Sequence, residues 1–189
     1  TVILDDGFQD YKIKKKLNII CFNQNQLIGN GLIIPSGPLR ESLNALKDAN
    51  IIIINGEKIV QFERKILNIN KDLKIFYSHY KPTNINQFKN KKLLAIAGIG
   101  NPENFFKLLK KNKLYVEKKL IFPDHYEFTK TEIKNIIKEA QNKNLKIITT
   151  EKDYFKIKNF NTLKIEYLKV SLEINEKKRL IQSINKIYD

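Results

Sequence analysis

Three short clusters carry the side chains in this sequence that can do chemistry. The first is Asp5-Asp6-Gly7-Phe8-Gln9, directly after the apolar run Val2-Ile3-Leu4. Adjacent carboxylates at the tip of a strand are suited to holding Mg²⁺, directly or through water, beside nucleotide phosphates. Asp-Asp-Gly is equally the composition of a plain turn leaving a strand. The second cluster is Gly37-Pro38-Leu39-Arg40-Glu41. Arg40 is one of only three arginines in a chain that otherwise uses lysine. A planar, forked donor grips phosphate at two points, which lysine cannot do. The alternative is an ion pair at a helix start, with Glu41 either joining a metal shell or complementing the helix N-terminus. The third cluster is Asp124-His125. An imidazole moves protons near neutral pH, the more so when a carboxylate orients it; the alternative is a surface histidine in a loop leading into a helix. Thr149-Thr150-Glu151-Lys152-Asp153 is polar at a strand end, but its spacing assigns no chemistry. Gly98-Ile99-Gly100-Asn101 has the look of an anion-binding turn before a helix, without the full glycine pattern of a phosphate loop. His79, among tyrosines, receives no role.

The elements that must position these clusters follow α/β grammar. Val2–Leu4 reads as a buried strand of a parallel sheet, with Asp5 and Asp6 at its carboxyl end, where such sheets bind ligands. Leu17–Phe22 is a second strand, followed by an Asn- and Gly-rich loop from Asn23 to Gly31. Pro38 suits the first turn of a helix whose stripe is Leu39, Leu43 and Leu46, and Ile51–Ile54 is a buried strand. Between residues 57 and 90, Ile59–Phe62 and Lys74–Tyr77 read as two short linker strands. A new unit opens with a strand at Leu93–Ile99. Asn101 and Pro102 then start a helix carrying Phe105, Phe106, Leu108 and Leu109. After a strand over Tyr115–Phe122, Thr129 and Glu132 form a capping box ahead of Ile133, Ile136, Ile137 and Ala140. Lys146–Thr150 is another strand, and Leu163–Leu172 holds one or two more. A final helix from about Asn175 buries Leu180, Ile184 and Ile187. The expected architecture is two α/β units joined by a short β linker, with boundaries at 1–56, 57–90 and 91–189.

Composition narrows the classes further. The chain has 189 residues, 42% of them hydrophobic, as in a globular protein with a real core. Its net charge of +15 reflects either an AT-rich codon bias toward Lys, Asn and Ile, or an anionic partner: a nucleic acid, a phosphate-bearing substrate or an acidic membrane surface. The lysines are spread along the whole chain. The single cysteine, Cys21, excludes an intrachain disulfide and fits a reducing, cytoplasmic compartment. No apolar run approaches the ~18–20 residues of a membrane span. Methionine is absent altogether, so the chain is expected to be the C-terminal part of something longer, with its phosphate-cradling loop in the preceding segment.

Taken in order, D-D-G-F-Q, G-N-G with P-S-G-P-L-R-E, G-I-G-N-P-E-N-F-F, F-P-D-H-Y and T-T-E-K-D resemble the tetraacyldisaccharide 4′-kinases, over nearly the whole chain from Thr1 to about Lys156. The resemblance implies ATP- and Mg²⁺-dependent phosphorylation of the 4′-hydroxyl of an acylated glucosamine disaccharide 1-phosphate, at the cytoplasmic face of the bacterial inner membrane. It also implies that residues 1–56 close a P-loop nucleotide domain, that 91–189 form a smaller C-terminal α/β domain, and that the site lies in the cleft between them. Carried over by position, Asp5 and Asp6 match the acidic pair serving Mg²⁺ and the transferring phosphate. Gln9 matches a polar residue facing the cleft, and Arg40 and Glu41 match the pair near phosphates and metal. His125 matches the histidine that helps remove the proton of the attacking hydroxyl. Asp10 stands where the family usually has His, and Ser36 where it usually has Ala. The expected partners are the glycolipid and an anionic membrane surface, not nucleic acid. Three rival readings stay open: a P-loop ATPase of another class, a basic nucleic-acid-binding module, which lacks here any RRM-type aromatic signature or zinc-finger spacing, and a non-catalytic remnant of the kinase.

Overall fold

The computed structural model describes residues 1–160 and 164–188. Its residues group into two units, Thr1–Tyr80 with Leu172–Asp189, and Lys81–Ser171. Each is built on a four-stranded sheet, and the fold class is mixed α/β, as expected.

In the first unit, β1 (Ile19–Asn23), β2 (Ile51–Asn55) and β3 (Lys74–Pro82) run parallel, with Ile19 opposite Ile51 and Ile51 opposite Lys74. A later strand, Val170–Ile174, completes the order at the β3 edge. Side chains alternate across a strand, so β2 serves two cores at once. Ile52 and Ile54 pack with Phe62 and Ile66 of α1 (Val60–Leu67), while Ile51 packs with Phe76 and with Leu180 of the C-terminal helix, Lys177–Tyr188. That helix therefore groups with the first unit, as do residues 172–176 just before it.

Three sequence expectations for this unit are corrected. Val2–Leu4 forms no strand: Val2 and Ile3 are 85% and 90% exposed. An apolar run becomes a buried strand only where a ladder accepts it, and among the described residues none pairs with this one. Pro38 opens no helix. The segment from 31 to 42 is a looped excursion closed by the Ile34 N–H to Leu39 carbonyl bond at 2.8 Å, and the leucine stripe survives only as a 3₁₀ turn over Leu43–Asp48. Ile59–Phe62 is the start of α1, not a strand, because Phe62 and Ile66 at i, i+4 both face the core.

In the second unit the sheet order places β4 (Lys92–Ala97) between β5 (Tyr115–Ile121) and β6 (Lys146–Thr149), with β7 (Ile165–Tyr167) outermost, all parallel. Leu93, Ala95 and Ala97 pack against Phe105, Phe106 and Leu109 of α2 (Pro102–Lys111). The other face, Leu94 and Ile96, takes Ile133, Ile136 and Ala140 of α3 (Lys130–Asn142). Pro102 begins α2, and the Thr129–Glu132 capping box begins α3, both as the sequence indicates. A short α4 (Glu151–Ile157) follows β6 directly, capped by Thr150. Of the expected strand region 163–172, Leu163 lies outside the described residues; Ile165–Tyr167 and the start of the strand at 170 account for the rest.

Candidate active site

In the first unit, two sequence clusters meet. Arg40 donates to Asp6 Oδ2 at 2.6 Å, with both side chains more than half exposed. One residue on, Glu41 Oε1 accepts from the Tyr11 hydroxyl at 2.6 Å. The loop bearing the acids is thus clasped to the P-L-R-E segment at two adjacent points. The loop has its own internal support. The Lys15 ammonium donates to the carbonyls of Gly7, Phe8 and Asp10 at 2.9, 2.9 and 2.7 Å, closing the turn around one cation. Asp6 sits at φ 53°, a left-handed conformation that Asp tolerates better than most residues.

The electrostatics of this clasp are uneven. Glu41 Oε2 is buried and has no hydrogen-bond partner among the described residues. An orphaned carboxylate oxygen is costly unless something else satisfies it. The bond to Glu41 raises the Tyr11 hydroxyl above the ordinary tyrosine range, because a negative acceptor favours the protonated phenol. Asp5 is exposed and makes no hydrogen bond or ion pair with the described residues. Gln9 is half-buried. Asp10, where a histidine was the expectation, spends its side chain on the Lys12 N–H at 3.1 Å.

In the second unit, the carboxyl ends of β4, β5 and β6 gather the remaining motifs. His125 stands in the loop after β5 at φ 60°, with its side chain 80% exposed. Asp124 Oδ1 accepts the His125 backbone N–H at 3.0 Å and the Lys152 ammonium at 3.1 Å, and Asp124 Oδ2 lies 3.8 Å from His125 Nε2. The Lys152 ammonium and the His125 N–H hold the Asp124 carboxyl below its usual range. His79, given no role, faces Glu173 at 3.5 Å.

The model of the family described as tetraacyldisaccharide-1-P 4′-kinase matches residues 1–189. The chain belongs to the tetraacyldisaccharide 4′-kinase family. It is 43% identical to the tetraacyldisaccharide 4′-kinase of Pelagibacter ubique over 98% of its own length, and 35% identical to that of Rickettsia akari over 98%. It spans 60% and 56% of those relatives, a little over half the length of the family proteins it matches. Its fold also matches the crystal structure of the "apo" form of LpxK from Aquifex aeolicus in complex with ATP. The TM-score is 0.66 at 22% identity, covering 97% of this chain and 56% of that one.

Within this kinase-family frame, the acids expected to hold a metal are not gathered. Among the described residues no three His, Cys, Asp or Glu side chains come together as a metal-holding group. Asp6 is turned to Arg40, Glu41 to Tyr11, and Asp5 to solvent. What sequence reasoning missed is the support: Tyr11, Lys15 and Lys152. A tyrosine two residues beyond Gln9 and a lysine-rich stretch give no local signal. Their partners lie 30 residues away for Tyr11 and 28 for Lys152.

Proposed function

We propose that this chain carries acceptor-activating and phosphate-side residues of an ATP-dependent kinase that phosphorylates the 4′-hydroxyl of an acylated glucosamine disaccharide 1-phosphate. The observation that supports it best is the double clasp of the loop bearing D-D-G-F-Q to P-L-R-E, which leaves a buried Glu41 oxygen without a partner among the described residues, in a member of this kinase family.

Phosphoryl transfer asks a protein chiefly to position groups and neutralise charge. Arg40 is the cation for that task. Its bond to Asp6 is exposed, and exposed pairs contribute only about 0–1 kcal/mol. A phosphate that offers two oxygens to the guanidinium replaces the single-point carboxylate contact, since a bidentate pair holds the fork at both arms. Asp6 is then free to act beside Asp5. Magnesium in such sites uses one or two carboxylates together with phosphate oxygens and water, so it needs no three-acid cluster. Glu41 Oε2 fits one such contact, and Asp5 or Asp6 would supply the other. A bound Mg²⁺ would supply neutralisation of charge on the transferring phosphate. Gln9 orients the substrate by hydrogen bonding. His125 takes the proton of the acceptor hydroxyl, with Asp124 Oδ2 3.8 Å from its Nε2.

A glycolipid acceptor places the working protein at a membrane surface, and the net charge of +15 suits anionic lipid, at about 1 kcal/mol for each well-placed cation. No helix among the described residues is long and apolar enough to cross a membrane. The association proposed is peripheral, at the cytoplasmic face of the inner membrane.

The test exchanges the matching 60% of the Pelagibacter relative for residues 1–189 and follows the γ-phosphate of ATP. Transfer of label to tetraacyldisaccharide 1-phosphate, lost in His125→Ala and Glu41→Gln, is the expected result. ATP hydrolysis indifferent to the lipid would favour an ATPase of another class. A folded chimera with no transfer would overturn the reading.

A further inference from the structure

The T-T-E-K-D motif, to which its spacing assigns no chemistry, leads into a heavily bonded group of the second unit. The Asp153 side chain is completely buried. One of its oxygens accepts the Gly98 N–H at 2.8 Å and the Thr150 hydroxyl at 2.8 Å; the other faces the Lys156 ammonium at 3.1 Å. Lys156 also donates to the Gly98 carbonyl at 3.1 Å. The backbone of Gly98, first residue of the glycine turn, is therefore gripped at its N–H and its C=O by two side chains of α4, three residues apart. Gly98 leaves little room for anything larger, since a Cβ there would lie 3.2 Å from Asp153 Oδ1.

The same short helix also reaches the neighbouring loop. Lys152, next to Asp153, holds Asp124, and Asp124 in turn accepts the His125 backbone N–H. The two loops abut: a Cβ on Gly100 would lie 3.0 Å from Asp124 Oδ2. His125 needs such support, because a non-glycine residue at φ 60° keeps that conformation only when its surroundings hold it.

We infer that α4 is a positioning element for His125: Asp153 and Lys156 fix the Gly98 turn, and Lys152 fixes Asp124, so that the imidazole leaves its loop from one backbone conformation. Lys152 and Asp153 are positioning residues and touch no reacting atom. The importance of this brace for catalysis rests on the kinase reading; its existence does not.

The test uses the 189-residue chain, isotope-labelled, by NMR. With only two histidines in the chain, a His79→Gln variant assigns the ring signals. The wild type is expected to show one sharp set of His125 ring signals. Lys152→Met broadens or splits that set while the β4 amides keep their protection, and Lys152→Arg restores it. Asp153→Asn speeds exchange of the Gly98 amide about 10-fold relative to Ala95, as local opening without global unfolding would. If Asp153→Asn fails to fold, the Lys152 pair of variants still decides. His125 ring signals unchanged in Lys152→Met would overturn the inference. If the signals move but the chimera carrying Lys152→Met transfers phosphate as before, the brace stands and the catalytic role of His125 falls.

Discussion

Arg40 concentrates the residue-scale logic of this protein. Its guanidinium is held by Asp6 in an exposed pair, and under the proposed function a phosphate would replace that carboxylate by using both arms of the fork. Arg40→Lys keeps the charge and loses the second donor. It is expected to lower kcat/KM of the chimeric kinase by about 10-fold or more, the equivalent of one charge-assisted bond, with little change in thermal stability. An unchanged kcat/KM would remove Arg40 from the phosphate. Tyr77 offers a second check at this scale. Burial first, then its bond to Glu63 at 2.8 Å, push its hydroxyl up to about 12. The folded value is raised above the unfolded one, so this contribution to stability is complete below pH 10 and lost as pH rises through 12. In a difference titration at 295 nm, the wild type minus Tyr77→Phe is expected to show one phenol ionising near pH 12; a midpoint near 10 would contradict the buried bond. Arg40 stands out in the sequence because it breaks the chain's lysine habit. Tyr11 does not, since what defines it is a partner 30 residues away that folding brings near, and Lys15 is one lysine of a lysine-rich stretch.

At the scale of elements, local chemistry and local structure agree best in the second unit. Thr129 accepts the Glu132 N–H, and Glu132 Oε2 accepts the Thr129 N–H at 2.8 Å, so both ends of the box are closed. Thr129→Ala is expected to cost about 1 kcal/mol in urea unfolding, because it orphans a backbone donor at the start of α3. A loss below a few tenths would mean that water satisfies the same group. In that unit the Thr129–Glu132 box, Pro102 at a first turn and the i, i+4 stripes of α2 and α3 were readable, although Asn101 makes no side-chain cap bond. The failures lay in the first unit: Pro38 with its leucine stripe, which forms only a 3₁₀ turn, and two short apolar runs. Val2–Leu4 and Ile59–Phe62 are too brief for periodicity to separate strand from helix from exposed loop, and only the presence or absence of a neighbouring ladder decides.

At the scale of the whole molecule, three carboxylates of the second unit are held below their usual range. Asp124 is held by Lys152, Glu132 by Tyr126 and Thr129, and Glu139 by Lys118 and Lys143. A depressed folded value means that stability is present above the unfolded value, near pH 4, and is lost as pH falls through the folded one. Urea midpoints are therefore expected to hold steady between pH 7 and about pH 5 and to drop below about pH 4. A midpoint that rises in acid would show that relief of other charges outweighs these pairs. With a net charge of +15, acid also adds to self-repulsion, which works in the same direction.

The residue types in order along the chain were sufficient for the α/β class, the starts of α2 and α3, and the family to which the motifs belong, because caps, stripes and motif spacing are written within a few residues of each other. Tertiary structure alone decided that Asp6 answers to Arg40 and Glu41 to Tyr11, that the C-terminal helix packs on β2 and β3, and that Asp153 is buried beneath the Gly98 turn. Those outcomes depend on which side chains meet across 30 to 130 residues, and the free energy of such a meeting comes from desolvation and geometry that no local pattern encodes.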